Sequence, residues 1–151
     1  MTHDSNETKE EKKRSYVKPQ LLVNYVGHGS AEVWRGDIFT SSAAETLTNS
    51  SRFPVVLAMT CLNGVFQDLY TESLAEALLL APHGGAIAVW ASSGLTDPES
   101  QAPMNDEFIS VIFSNQHLTI GQAIIRAKQA TTDPDVRKTW ILIGDPAMRV
   151  R

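Results

Sequence analysis

The 151-residue sequence predicts an α/β domain with a mostly parallel sheet flanked by helices, and three observations carry that expectation. Short runs such as Val55-Val56-Leu57-Ala58-Met59 and Ala86-Ile87-Ala88-Val89-Trp90 are apolar at every position, as strands covered on both faces are. Helix-like segments with recognisable caps separate them, and glycine or proline marks the junctions. With 42% apolar residues and a single cysteine, the chain suits one core and holds no internal disulfide.

Residues 1–18 are polar and charged without hydrophobic periodicity, and read as a disordered tail or linker ahead of a folded part over 19–151. Gln20 to Val26 is the first strand. A polar loop with Trp34, Arg35 and Asp37 leads to a short helix around Ser42 to Thr48, capped by Ser41 or Ser42. Pro54 to Thr60 is the second strand, and a loop at Asn63-Gly64 follows. Ser73-Leu74-Ala75-Glu76 has the spacing of a capping box and opens a helix from Leu74 to Leu80, which Pro82 and Gly84-Gly85 stop.

Gly85 to Ala91 is the third strand, and Ser92-Ser93-Gly94 enters a long loop to Pro103. Apolar spacing predicts helices from Met104 to about Phe113 and from Ile120 to Gln129, the second capped by Thr119. Trp140 to Ile143 is the last strand, closed by Gly144-Asp145-Pro146.

Charge separates the two parts. Residues 1–18 hold five Lys/Arg against four Asp/Glu, and the remainder eight against thirteen, so the folded part is acidic and offers no basic patch for nucleic acid. No apolar run approaches the ~18 residues of a membrane span, and the N-terminus lacks the apolar stretch of a signal peptide.

An open parallel sheet binds its ligand outside the carboxyl ends of its strands. Here those ends are read as His28-Gly29, Cys61, Ser92-Ser93-Gly94 and Gly144-Asp145. If the runs ending at His28 and Cys61 are neighbouring strands, about 4.8 Å apart, an imidazole and a thiol can act on one substrate atom. An imidazole that takes the thiol proton lowers a thiol pKa from about 8.5 and makes a nucleophile. The N–H groups of Gly29 and Cys61 are then the candidate oxyanion donors.

Blander roles compete at each position: a small buried hydrophobe for Cys61, a turn residue for His28. Trp34 and Trp90 either meet substrate or pack, Ser92 and Ser93 either line the groove or cap a turn, and Asp145 is turn chemistry. His3, His83 and His117 are scattered through tail and loops and make no metal site.

The longer motifs resemble the gingipain-type cysteine peptidase family. They are Asn24-Tyr25-Val26-Gly27-His28-Gly29-Ser30 with Trp34, Met59-Thr60-Cys61-Leu62-Asn63-Gly64 with Phe66, Ser73-Leu74-Ala75-Glu76, Gly85 to Ala91, and Leu142 to Arg149. The resemblance implies a caspase-like fold and a dyad in which His28 is general base and acid and Cys61 is nucleophile. It also implies peptide hydrolysis through a thioester, with the Gly29 and Cys61 N–H groups as oxyanion donors. Trp90, Ser92 and Ser93 would belong to the substrate-binding loop, the substrate would be a polypeptide, and neither cofactor nor metal would enter the chemical step.

The family places two further strands ahead of the His strand, and this chain has only its polar tail there. The expected fold is therefore a caspase-like sheet lacking its first strands, with an open edge for the missing N-terminal part of the domain or a partner chain. The basic specificity of gingipains does not carry over. A fragment of a longer family member would be secreted or at the cell surface, and a free-standing product cytoplasmic. Alternative functions are a sortase-like transpeptidase and a non-catalytic binding or assembly remnant.

Overall fold

The computed structural model describes residues 21–114 and 116–150. The segment read as a tail, the strand start at Gln20, and Asn115 lie outside the described residues. A four-stranded sheet carries the fold in the order β1-β4-β5-β6: β1 is Leu22–Val26, β4 Val55–Met59, β5 Ala88–Ser92 and β6 Trp140–Gly144. The first three are parallel, with Val26 opposite Met59 and Ala58 opposite Ala91. A small hairpin of β2 (Gly29–Ser30) and β3 (Val33–Trp34) folds out of the loop after β1.

Strand parity divides the core. Val55, Leu57 and Met59 of β4 share a face with Ala88 and Trp90 of β5, under α3 (Pro98–Ile112) and α4 (Ile120–Gln129). Val56, Ala58, Val89 and Ala91 face α1 (Ser41–Glu45) and α2 (Leu74–Leu80). A two-sided cover explains why β4 and β5 are apolar at every position.

The α2 capping box forms as expected: Glu76 N–H donates to Ser73 Oγ, and the Glu76 carboxylate accepts from Ser73 N–H at 2.9 Å. Thr119 caps α4 in the same manner. α1 is capped by Thr40, not Ser41 or Ser42, because the Thr40 hydroxyl is the one that accepts from Ala43 N–H at 3.1 Å.

Three expectations are corrected. The loop expected to run to Pro103 is helical from Pro98, where Asp97 caps Ser100 N–H at 2.9 Å and proline fills the first helical position. A further helix, α5 (Pro134–Thr139), starts on the same Asp-Pro signal, with Asp133 as cap. It delivers the chain to β6 from the end of the sheet where His28 and Cys61 lie, so β6 runs antiparallel to β5, with Ser92 opposite Trp140 and Ala88 opposite Gly144. Gly144-Asp145 therefore lies at the opposite end from His28 and Cys61 and does not belong to the rim.

Asp133 accepts backbone N–H bonds from Asp135 at 2.8 Å and Val136 at 3.1 Å, and the Val136 and Asp135 bonds hold its carboxyl below the usual value. A depressed carboxyl stabilises the fold above its unfolded-state pKa, and that contribution is lost as pH falls through the folded value. Asp133→Ala is accordingly expected to melt below the wild type at neutral pH. Thermal scans of the two should converge in acid, and a gap independent of pH would contradict this cap.

No described helix is long and apolar enough to cross a membrane.

Candidate active site

β1 and β4 bring His28 and Cys61 to one rim. Their ladder continues past the paired Val26 and Met59 with a bond from Gly27 N–H to Met59 O at 3.1 Å, and both chains then turn away. His28 is held by its carbonyl, which accepts from Arg35 N–H at 2.9 Å and Tyr25 Oη at 3.2 Å, while its imidazole faces solvent. The Tyr25 ring stacks on Trp34 at 4.1 Å, so the hairpin braces the histidine from behind.

The Cys61 turn is held by the residues that follow it. Leu62 takes a left-handed φ of 62° and donates its N–H to Gly94 O at 3.1 Å; Gly64 N–H bonds Ser92 O at 2.9 Å. Asn63 is fully buried between them. Its Oδ1 accepts from Thr60 Oγ1, its Nδ2 donates to Ser30 O at 2.5 Å, and its carbonyl accepts from Ala75 N–H at 3.0 Å. One amide thus ties the Cys61 turn to the hairpin beside His28 and to the start of α2. In sequence Asn63 showed only as half of an Asn-Gly loop signal, and nothing local announced its burial.

Among the described residues, two N–H groups are left free at this rim. Arg35 N–H bonds His28 O, which makes Gly29 and Trp34 a non-hydrogen-bonded pair and takes the Gly29 N–H out of the hairpin ladder. The N–H of Cys61 has no protein acceptor among the described residues. Gly29 must lack a side chain, because a Cβ there would stand 2.9 Å from Asn63 Oδ1 and 3.1 Å from Thr60 Cβ. The thiol is partly exposed and donates to Thr96 O at 3.4 Å, not to the imidazole.

The expected substrate-binding residues divide differently. Trp90 is corrected to a core residue: it is 0% exposed, on the α3/α4 face, with its ring 5.2 Å from those of Phe108 and Trp140. Ser92 is buried, and its Oγ closes a turn by donating to Gly94 O at 2.9 Å. Ser93 Oγ donates to Thr139 O at 2.9 Å, and Ser93 O accepts from Gln67 Nε2 at 3.2 Å. Both serine hydroxyls hold the loop in shape. His83 and His117 are exposed in loops, and no group of three His, Cys, Asp or Glu among the described residues could hold a metal ion.

Known proteins align with both the sequence and this architecture. The family described as Peptidase family C25 matches residues 4–151. Gingipain R2 of Porphyromonas gingivalis (strain ATCC 33277) is 30% identical over 143 residues, which are 86% of this chain and 19% of that protein. Gingipain R2 of strain W83 is 32% identical over 145 residues, again 86% and 19%. The crystal structure of the Arg-specific cysteine proteinase gingipain R superposes with a TM-score of 0.73 at 30% identity, over 86% of this chain and 33% of that one. The complex of Porphyromonas gingivalis RgpB pro- and mature domains gives 0.78 at 28% identity, over 86% and 34%.

The chain thus spans about a fifth of these curated relatives and about a third of the solved chains. The sheet they share is the caspase-like α/β sheet expected from the motifs. With a family match over nearly its whole length and the gingipain architecture beneath it, the chain belongs to peptidase family C25.

Proposed function

We propose that this chain carries the hydrolytic site of a cysteine endopeptidase, with Cys61 as nucleophile and His28 as general base and acid. The observation that carries the reading is the parallel β1/β4 register, which ends both strands at one rim beside two N–H groups free of backbone partners among the described residues. For reaction, Sγ turns from Thr96 O toward the imidazole, which takes its proton. The thiolate attacks the substrate carbonyl carbon, and the resulting oxyanion is held by the N–H groups of Gly29 and Cys61.

Collapse of that intermediate breaks the C–N bond, and the imidazolium gives its proton to the departing amine. Water, deprotonated by the same imidazole, then attacks the thioester and restores the thiol. No step calls on a cofactor.

The outer edge of β1 is part of the same reading. β1 pairs only with β4 among the described residues, and Val26 is 62% exposed on the α3/α4 face. A strand end that also carries His28 is a place where a further strand, from the same protein or a partner, would stiffen the site.

The test is alkylation of Cys61, the single cysteine, by iodoacetamide, followed by intact mass. At a pH of about 6.5 the wild type is expected to react at least about tenfold faster than His28→Ala, because the imidazole takes the thiol proton when Sγ reacts. Superimposable rates would overturn the dyad and favour a non-catalytic assembly role.

A further inference from the structure

Leu95 occupies an unusual place. Gly94 before it accepts the N–H of Leu62, the residue after the nucleophile, and Thr96 after it accepts the Cys61 thiol. Pinned on both sides to the nucleophile turn, Leu95 nevertheless leaves 79% of its surface in solvent. The loop after the Cys61 turn repeats the pattern. Gln67 Nε2 holds it to Ser93 O at 3.2 Å, and Asp68 Oδ1 accepts the N–H groups of Tyr70 at 2.8 Å and Thr71 at 3.2 Å. This turn presents Leu69 and Tyr70 at 90% and 97% exposure.

Three large apolar side chains are therefore held out of the core by specific hydrogen bonds, Leu95 beside the Cys61 turn and Leu69 and Tyr70 on the loop tied to Ser93. Asp97, two residues beyond Leu95, turns its carboxylate to Ser100 N–H as a helix cap, and Asp68 turns its own to the backbone. Leu95 thus presents hydrocarbon beside the Cys61 turn, where a basic side chain would need a charge.

We propose that Leu95, with Leu69 and Tyr70 continuing the surface, selects polypeptide substrates with a large aliphatic side chain at the residue whose carbonyl Cys61 attacks. This rests on the hydrolytic reading above. It also separates the chain from the relative whose solved structure is called Arg-specific.

The experiment measures Cys61 alkylation in the full chain by peptidyl chloromethyl ketones with Leu, Ala or Arg next to the ketone. Each rate is divided by the iodoacetamide rate of the same protein, so recognition is read without turnover. The Leu reagent is expected to exceed the Ala reagent by at least about tenfold, the discrimination that a few methylenes give in an apolar pocket. It should exceed the Arg reagent as well. Leu95→Ser should bring the Leu-to-Ala ratio to within about threefold of one, while Leu80→Ser, at the far end of α2, keeps it.

Equal Leu and Ala rates in the wild type, a faster Arg reagent, or a ratio indifferent to Leu95→Ser would each overturn the proposal. Failure of the dyad shows separately, as iodoacetamide rates that ignore His28→Ala.

Discussion

Cys61→Ala is expected to lower peptide cleavage by at least about ten-thousandfold, since loss of a covalent nucleophile leaves only binding and oxyanion stabilisation. The fold should survive. Cys61 is partly exposed, its one side-chain bond goes to Thr96 O, and the turn around it is held by Asn63, Leu62 N–H and Gly64 N–H. The melting temperature should stay within roughly 2 °C of wild type, as for a substitution outside the packed core. Peptide hydrolysis followed by mass spectrometry, beside a thermal scan, separates the two effects. Cleavage that persists in Cys61→Ala would remove this residue from the chemistry.

The largest expected effect on stability is at Gly85, between α2 and β5. Its φ is +98°, and a Cβ there would lie 2.0 Å from Leu78 O, the same carbonyl that accepts Ala86 N–H at 2.9 Å. Asn49 clamps the residue further, accepting its N–H at 2.7 Å and donating to its carbonyl at 2.9 Å. Neither partner can retreat without giving up a bond. Left-handed backbone and steric overlap together cost about 4 kcal/mol, and Gly85→Ala should melt about 10 °C lower.

Gly36 provides the comparison. Its φ is +72°, but nothing lies within 4 Å of the added Cβ, so Gly36→Ala should cost only about 1 kcal/mol. Equal melting shifts in the two variants would refute the steric account of Gly85.

Local signals were enough for much of this fold. The uninterrupted apolar runs marked β4 and β5, the Ser73/Glu76 pair marked α2, and the positions of His28 and Cys61 at strand ends follow from run length alone. Strand direction is not local in that way. Nothing in Trp140 to Gly144 says which way β6 points; its polarity comes from α5, whose cap and first residue, Asp133-Pro134, also read as a turn. Pro103 hid the first turn and a half of α3 because proline argues against helix, yet Asp97-Pro98 had already started one.

The face occupied by Trp90 was legible through parity, since Trp90 and Ala88 must share a side. Which side the helices cover with aromatic residues depends on Phe108 and Trp140, distant in sequence. Asn63 is the same lesson at the site: its three partners, Ser30, Thr60 and Ala75, come from three segments.

The antiparallel entry of β6 also sets an order in time. Thr139, the residue before β6, accepts both the N–H and the hydroxyl of Ser93, and Ser93 O in turn holds Gln67 on the loop beyond Cys61. A chain emerging from the ribosome exposes His28 and Cys61 long before Thr139, so the loop that flanks the thiol lacks its Thr139 anchor while the first two-thirds of the sequence is already outside. The loop beside Cys61 thereby gains its last tie only when β6 is in place.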